Sequence, residues 1–328
     1  MPSILVTGGA GFVGSHVCEA LHAAGFLPVV LDDLSSGFQD FVQWGPFVQG
    51  RIGDRDLVRQ ICKTHRPVAC LHFAGLIELG RSVTHPDLFY DTNVAESIAL
   101  IDTLRSGGVS SVVFSSTAAV YRAQLTPLVE TAALGPESPY GRTKWMIEQY
   151  LSDLGHAYGM RSIALRYFNA AGGHPTVDIG ESHYPETHLI PALLDFAVGR
   201  RAAFTVFGTD YPTPDGTCIR DYVHVTDLAA AHVMAIRHLL GGGGSAVFNV
   251  GTGLGHSVKE VVEAAQFVVG KSLAVHYGDR RAGDAPMRVA NCDAIRSEWS
   301  WRPRRSDLHT LIADAWRWRG RANPILDR

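Results

Sequence analysis

The chain has 328 residues, of which 46% are hydrophobic and 19% charged, with a formal net charge of −3. That length suggests one large domain or two modest ones, and the composition excludes a disordered chain, a collagen and a disulfide scaffold. Weak acidity argues against general nucleic-acid binding, no apolar run is long enough to cross a bilayer, and the N-terminus lacks the basic region and cleavage site of a signal peptide.

Ile4–Thr7 is a short, mostly β-branched run that predicts a strand. A glycine-rich turn follows it and leads into a helical pattern, Gly14 to Ala24. Leu27–Leu31 predicts a second strand, ending in Asp32 and Asp33. Val68–Phe73, Val112–Ser115 and Ser162–Arg166 read as further strands, each continuously apolar rather than alternating, the pattern of strands covered on both faces. Helical stretches near Asp56–Thr64, Asn93–Arg105 and Tyr140–Tyr158 separate them. Alternation of this kind predicts right-handed βαβ units and a doubly wound, Rossmann-type parallel sheet.

Beyond Asn169 the texture changes. Ala170–Pro191 is rich in Gly, Pro and His and reads as a loop. Pro191–Arg200, Phe204–Phe207, Thr226–Leu240, Val247–Val250, Ser257–Val269 and Leu273–Tyr277 then suggest short helices and strands of a smaller α+β domain. Gly241–Gly244 is read as a connection, since four consecutive glycines disfavour either element. The expected division is a dinucleotide-binding domain over 1–169, to which part of 216–250 returns, and a substrate domain over 170–328.

The 34 glycines exceed the usual share of about 7%, and three of them carry chemistry. Gly8, Gly11 and Gly14 are spaced G-x-x-G-x-x-G between a strand and a helix. Such a turn needs one glycine for its tight bend, one for close approach of a pyrophosphate and one for helix–strand packing. The helix N-terminus offers unpaired N–H groups to the phosphates. Asp32, 18 residues beyond Gly14, is placed to accept hydrogen bonds from an adenosine ribose, and its charge favours NAD over NADP.

A second constellation lies in Ser138–Lys144, where Pro139 stands at a helix start and Tyr140 and Lys144, four apart, share a face. An ammonium near a phenol is expected to lower the phenol's pKa from about 10 toward the range of a general base. Ser115, Ser116 and Thr117 end the preceding strand, at the sheet edge where ligands bind in such folds. A Thr117 hydroxyl there is suited to pass a substrate proton to Tyr140. Histidine 72, in an apolar strand, reads as a satisfied core residue, while His174, His183 and His188 lack metal-site spacing, so no metal is expected. The five cysteines form no C-x-x-C pair and suit a reducing, cytoplasmic compartment.

With these motifs the sequence resembles the extended short-chain dehydrogenase/reductase family and, within it, the UDP-galactose (UDP-glucose) 4-epimerases. The resemblance rests on TGGAGFVGSH at 7–16, LDDL at 31–34, HFAGL at 72–76, FSSTAAVY at 114–121 and SPYGRTK at 138–144. RYFNAAG at 166–172, ETHLIP at 186–191, GTCIRDYVHV at 216–225 and RRAGD at 280–284 continue it to the second half. It implies tightly held NAD, contacted by Gly8, Gly11, Phe12, Val13, Gly14, Asp32, Ile52, Phe73, Ala74, Gly75, Asn93, Ser115, Tyr140, Lys144 and Tyr167. It further implies Tyr140 as the base on the sugar 4-hydroxyl, tuned by Lys144 and completed by Thr117. Asn169, His188, Leu189, Phe207, Arg220, Arg281, Asp284 and Arg288 would hold the nucleotide sugar. The helices at 93–105 and 140–158 correspond to a dimer-forming pair, so a homodimer is expected.

Several positions depart from that pattern. Arg51 replaces an acid near the adenine, with Asp54 or Asp56 as candidate substitutes; Ile77 replaces a lysine; Arg122 replaces a glycine; His188 replaces an asparagine. Arg288, where the size of the sugar pocket is set, is expected to exclude N-acetyl sugars. A 4,6-dehydratase is disfavoured because Thr117 is followed by Ala118 and Ala119 rather than an acidic pair. UDP-pentose or UDP-N-acetylhexosamine epimerisation and a non-catalytic NAD sensor are the alternatives.

Overall fold

The computed structural model describes residues 1–281 and 284–320. Gly283 of the RRAGD stretch therefore lies outside the described residues, as does Ala282. The first half runs β1 (Ser3–Thr7), α1 (Phe12–Ala23), β2 (Leu27–Asp32), β3 (Phe47–Gln49), α2 (Arg55–His65), β4 (Ala69–His72), α3 (Leu79–Thr84) and α4 (Pro86–Tyr90). A π-helical turn over Asp91–Glu96 leads into α5 (Ser97–Ser106), β5 (Ser111–Thr117), α6 (Pro139–Tyr158) and β6 (Arg161–Tyr167). The second half comprises β7 (Asn169–Ala171), α7 (Leu189–Val198), β8 (Thr205–Phe207), β9 (Ile219–His224), α8 (Val225–Leu240) and β10 (Ala246–Val250). It closes with β11 (Gly255–Ser257), α9 (Val258–Val269), β12 (His276–Gly278), β13 (Met287–Arg288), α10 (Asp293–Trp299) and α11 (Leu308–Arg319).

The chain forms two compact units. The first takes 1–122, 133–166 and 229–248, and the second takes 123–132, 167–228 and 249–328. In the first, seven strands order as β10-β6-β5-β4-β1-β2-β3. β1 pairs in parallel with β2 and β4, β2 with β3, and β4 with β5. This is the doubly wound sheet expected from the continuously apolar strands. Leu5, Val29, Leu31, Cys70, Val112 and Phe114 bury one side of it beneath Val58, Ile61, Leu100, Ile101, Leu104 and Ile147 of the helices. The order reverses between β1 and β4, so the β1–α1 turn opens at the switch point where such sheets bind ligands.

Local chemistry sets the helix ends. Ser138 accepts from the Gly141 amide at 3.2 Å, Pro139 occupies the first turn, and Gly159 stops α6 in the left-handed region at φ +69°. Asp54 caps α2, and a reciprocal Ser257–Glu260 capping box starts α9.

The second unit holds a β11-β9-β13 sheet, with β7 also paired to β9, and a separate β12–β8 pair. Its core gathers Leu193, Leu194, Val206, Tyr222, Val261, Leu311 and Ile312. The sequence reading missed β9, whose Arg220 and Asp221 look wrong for a buried strand. Asp221 is nonetheless fully buried, because its carboxylate accepts from the amides of Thr252, Gly253 and Ala290 and from the Thr252 hydroxyl. The stretch read as a loop also begins with β7, and the strand expected at Leu273–Tyr277 is confined to β12.

Candidate active site

Gly8 needs its glycine identity twice over. Its φ is +70°, and a Cβ there would lie 2.6 Å from the Ala74 amide nitrogen. A Cβ on Gly14 would lie 2.1 Å from the Gly8 carbonyl oxygen, so that residue lets α1 pack against the turn. Gly11 is different: a Cβ there would meet only the Gly8 carbonyl oxygen, at 3.3 Å. Its missing side chain leaves open the mouth of α1, whose first turn carries neither a side-chain cap nor an acidic residue. The amides of Phe12 and Val13 belong to that turn, and it fits a dinucleotide pyrophosphate.

Asp32 closes the cradle. Its Oδ2 accepts from the Ala10 amide at 3.0 Å and its Oδ1 from the Leu34 amide at 2.9 Å. Burial pushes its carboxyl up, against the lowering effect of those two amides. Lone pairs remain for ribose hydroxyls, since a carboxylate offers about four acceptor sites. On the other side of β1, Phe73 donates to the Thr7 carbonyl at 3.0 Å and stacks 4.8 Å from the His232 ring. Asn93, in the π-helical turn, grips Leu76 by accepting from its amide at 2.8 Å and donating to its carbonyl at 2.9 Å. Gly75 runs beside it at φ +156°, where a Cβ would strike Asn93 Oδ1. Ile52 places its side chain within the apolar core.

At the end of β5, the Thr117 hydroxyl lies beside the Tyr140 phenol. One turn further along α6, the buried Lys144 ammonium donates to the Ser115 carbonyl at 3.0 Å. Desolvation lowers the Lys144 pKa to about 8. The expected lowering of the Tyr140 pKa is not found. Burial raises it, and only the neighbouring Thr117 hydroxyl opposes the rise.

Sequence reasoning missed what anchors this edge. Glu148, one further turn along the Tyr140–Lys144 face, takes two bonds from Arg166, at 2.9 and 2.5 Å, and another from the Ser116 hydroxyl. Arg166 also donates to the Tyr121 hydroxyl at 2.9 Å. The signal was the spacing 140, 144, 148 on one helical face. His72 is the satisfied core residue expected, bound to the Thr7 and Ser97 hydroxyls at 2.8 and 2.9 Å.

The departures have local explanations. Arg51 pairs with Glu96 and lies 3.6 Å from Asp91. Asp54 is committed to capping α2 and Asp56 to Arg59. Arg122 packs over Gly135, where a Cβ would crowd its Nε at 3.3 Å.

The second unit holds the expected nucleotide-sugar residues, and Tyr167 of the expected NAD contacts. Arg220 donates to the Ile219 and Ala285 carbonyls, lies 3.6 Å from Asp284, and stands in register with Arg288 across β9–β13. Arg281 lays its guanidinium 4.0 Å from the centre of the Phe207 ring, rather than beside Asp284. His188 precedes Leu189 at the start of α7, and its Nδ1 bonds Glu181 at 2.5 Å. Asn169 opens β7 opposite Tyr222, and Tyr167 ends β6.

Comparison with known proteins agrees with this construction. A model described as the NAD dependent epimerase/dehydratase family matches residues 4–251. A relative from Rhizobium meliloti (strain 1021), named UDP-glucose 4-epimerase, is 48% identical over 322 residues, 98% of each chain. The crystal structure of UDP-glucose 4-epimerase from Brucella ovis in complex with NAD superposes at a TM-score of 0.94, with 44% identity, covering 97% of this chain and 98% of that one. The enzyme from Stenotrophomonas maltophila, solved with bound NAD and formylated UDP-arabinopyranose, gives 0.94 at 38% identity over 98% of each chain. With the glycine cradle, Asp32 and the Thr117–Tyr140–Lys144 edge in place, the chain belongs to the NAD dependent epimerase/dehydratase family.

Proposed function

We propose that the protein interconverts UDP-glucose and UDP-galactose with tightly held NAD. The observation that carries this reading is the Thr117 hydroxyl beside the Tyr140 phenol, one turn before a buried Lys144, at the ligand edge of the doubly wound sheet. The first unit binds NAD through Gly8, Gly11, Gly14, Asp32 and Asn93, and the second binds the nucleotide sugar. When bound, NAD would supply the hydride acceptor and donor for C4 of the sugar, and a positive charge that favours the Tyr140 phenolate. Tyr140 takes the 4-hydroxyl proton, with Thr117 as its relay, while C4 would give up its hydride to the bound cofactor, leaving a 4-keto sugar; after the sugar turns, C4 would regain the hydride on its other face and Tyr140 returns the proton to O4. Arg220 and Arg281 are suited to bidentate contact with the diphosphate, Phe207 and Leu189 to the uracil. Arg288, as a long basic side chain, disfavours N-acetyl sugars.

The protein works in the cytoplasm, which its five buried free cysteines support, and as a homodimer through the faces of α5 and α6, which light scattering on the eluting peak tests. Among the described residues no helix is long and apolar enough to cross a membrane. The decisive experiment mixes purified protein with UDP-galactose and no added NAD. Formation of UDP-glucose, lost in Tyr140→Phe with UDP affinity retained, is the expected result. Binding without turnover in the parent protein would instead identify a sensor.

A further inference from the structure

Residues 181–188 read Glu-Ser-His-Tyr-Pro-Glu-Thr-His, two Glu-x-His triplets separated by Tyr184 and Pro185. The spacing matched no metal motif, yet the fold brings the two triplets together. One ligand atom from each of Glu181, His183, Glu186 and His188 lies within 4.8 Å of all the others. Both carboxylates are buried, Glu181 at 3% and Glu186 at 8% exposure. The two imidazole rings meet edge to face with centres 5.2 Å apart.

Two of the separations are close to those of a coordination shell. With Zn–N and Zn–O bonds of about 2.1 Å in a tetrahedral array, neighbouring ligand atoms are about 3.4 Å apart. Glu181 Oε1 lies 3.3 Å from His183 Nδ1, and Glu186 Oε1 lies 3.7 Å from His188 Nδ1. A third pair, Glu181 Oε1 and His188 Nδ1, is joined at 2.5 Å by a hydrogen bond whose proton a metal ion would displace.

A hydrogen-bonded cluster alone does not account for the other atoms. His183 Nδ1 and Glu186 Oε2 are buried with no hydrogen-bond partner, whereas buried polar atoms are nearly always partnered. Arg319 comes within 3.3 Å of Glu186 Oε2. Its guanidinium also donates to Asp195 at 3.0 and 2.6 Å and to the Glu181 carbonyl at 2.5 Å, so its contact with Glu186 is an ion pair without a hydrogen bond. The side chain of Glu186 is thus buried, with Oε1 facing His188 while it accepts from the Thr187 and His188 amides at 2.9 and 3.0 Å, and with Oε2 held by the Arg319 charge alone.

We propose that Glu181, His183, Glu186 and His188 form a binding site for one divalent transition-metal ion, of which zinc fits best. Two imidazoles and two carboxylates suit zinc, and the imidazoles select against calcium and magnesium, which take oxygen ligands. The ion would pin the chain that leads into α7, since His188 is the residue on which that helix begins. Ligation through Nδ1 would leave the remaining His188 proton on Nε2.

The test uses the full-length protein as purified, with elemental analysis, zinc-edge X-ray absorption, and zinc titration after chelator treatment. We expect about one zinc per chain, a first shell of nitrogen and oxygen only, and saturable one-to-one uptake by the stripped protein. Glu186→Gln, which keeps the shape, and His183→Ala should each weaken uptake at least about 100-fold. His156→Ala, an exposed histidine on α6, should leave it unchanged. Absence of metal together with no one-to-one uptake would overturn the proposal. So would sulfur in the shell, or undiminished affinity in both cluster variants.

Discussion

Lys144 donates its buried ammonium proton to the backbone carbonyl of Ser115 at 3.0 Å, and this bond ties the middle of α6 to the end of β5. The cost of that placement is legible in its pKa, lowered by desolvation to about 8. Between pH 8 and the free value of about 10.4, the unfolded chain binds the proton that the folded one releases. Stability from this group therefore rises with pH across that window and is least below it. Lys144→Met should be at least as stable as the parent at pH 7, and that relative stability should shrink by pH 10. Turnover should meanwhile fall by about 100-fold or more. Urea denaturation at the two pH values checks the sign; a variant whose relative stability grows with pH would contradict the desolvated-lysine account.

The three glycines of the β1–α1 turn should fail in different ways. Gly14→Ala puts a methyl 2.1 Å from the Gly8 carbonyl oxygen, against backbone that has nowhere to move. It should destabilise the fold by several kcal/mol, on the order of an overpacked core. Gly11→Ala meets protein only at 3.3 Å, so its near-ultraviolet circular dichroism should stay native. Its added methyl obstructs the approach of the pyrophosphate, and the purified variant should carry little NAD. Released nucleotide, measured after denaturation, separates the two; full NAD occupancy in Gly11→Ala would show that the phosphates lie elsewhere.

Glu148 and Arg166 form an ion pair in which the side chains are only 7% and 5% exposed. Breaking it from one side leaves a buried charge, which costs about 3–5 kcal/mol. Glu148→Gln should therefore lower the unfolding midpoint markedly and also weaken turnover, because Ser116 and Tyr121 are held by the same two residues. Joint replacement by Glu148→Leu and Arg166→Met should recover much of the stability without recovering the activity. If the single variant loses less than about 1 kcal/mol, the pair is not the anchor of the β5 edge.

What the sequence disclosed follows from range. Gly8, Gly11 and Gly14 span one turn, and Tyr140 and Lys144 one more, so pattern and chemistry could be read together without knowing the fold. The Glu148–Arg166–Tyr121 group joins residues 18 and 45 positions apart; the spacing 140, 144, 148 marks the face on which Glu148 lies but not the partners it meets. β9 escaped because its buried Asp221 is satisfied by amides of Thr252, Gly253 and Ala290, residues supplied by distant loops. The sign of the Tyr140 shift escaped for a related reason. Proximity of a lysine was visible along the helix, but the burial that raises the phenol's pKa, and the carbonyl to which the ammonium donates, belong to tertiary structure.

Phe207 and Arg281 are stacked, with the guanidinium 4.0 Å from the ring centre. If the uracil takes that ring face and Arg281 turns to the diphosphate, the two residues should respond oppositely to two ligands. Phe207→Ala should weaken both UDP and uridine, by roughly 5- to 150-fold if base stacking is worth about 1–3 kcal/mol. Arg281→Met should weaken UDP strongly, through loss of a charged phosphate contact. It should leave uridine unchanged or bind it slightly more tightly, since the guanidinium no longer competes for the ring. Calorimetric titration of both ligands against both variants decides the matter. Parallel losses of uridine and UDP affinity in Arg281→Met would mean that the arginine supports the ring rather than yielding it.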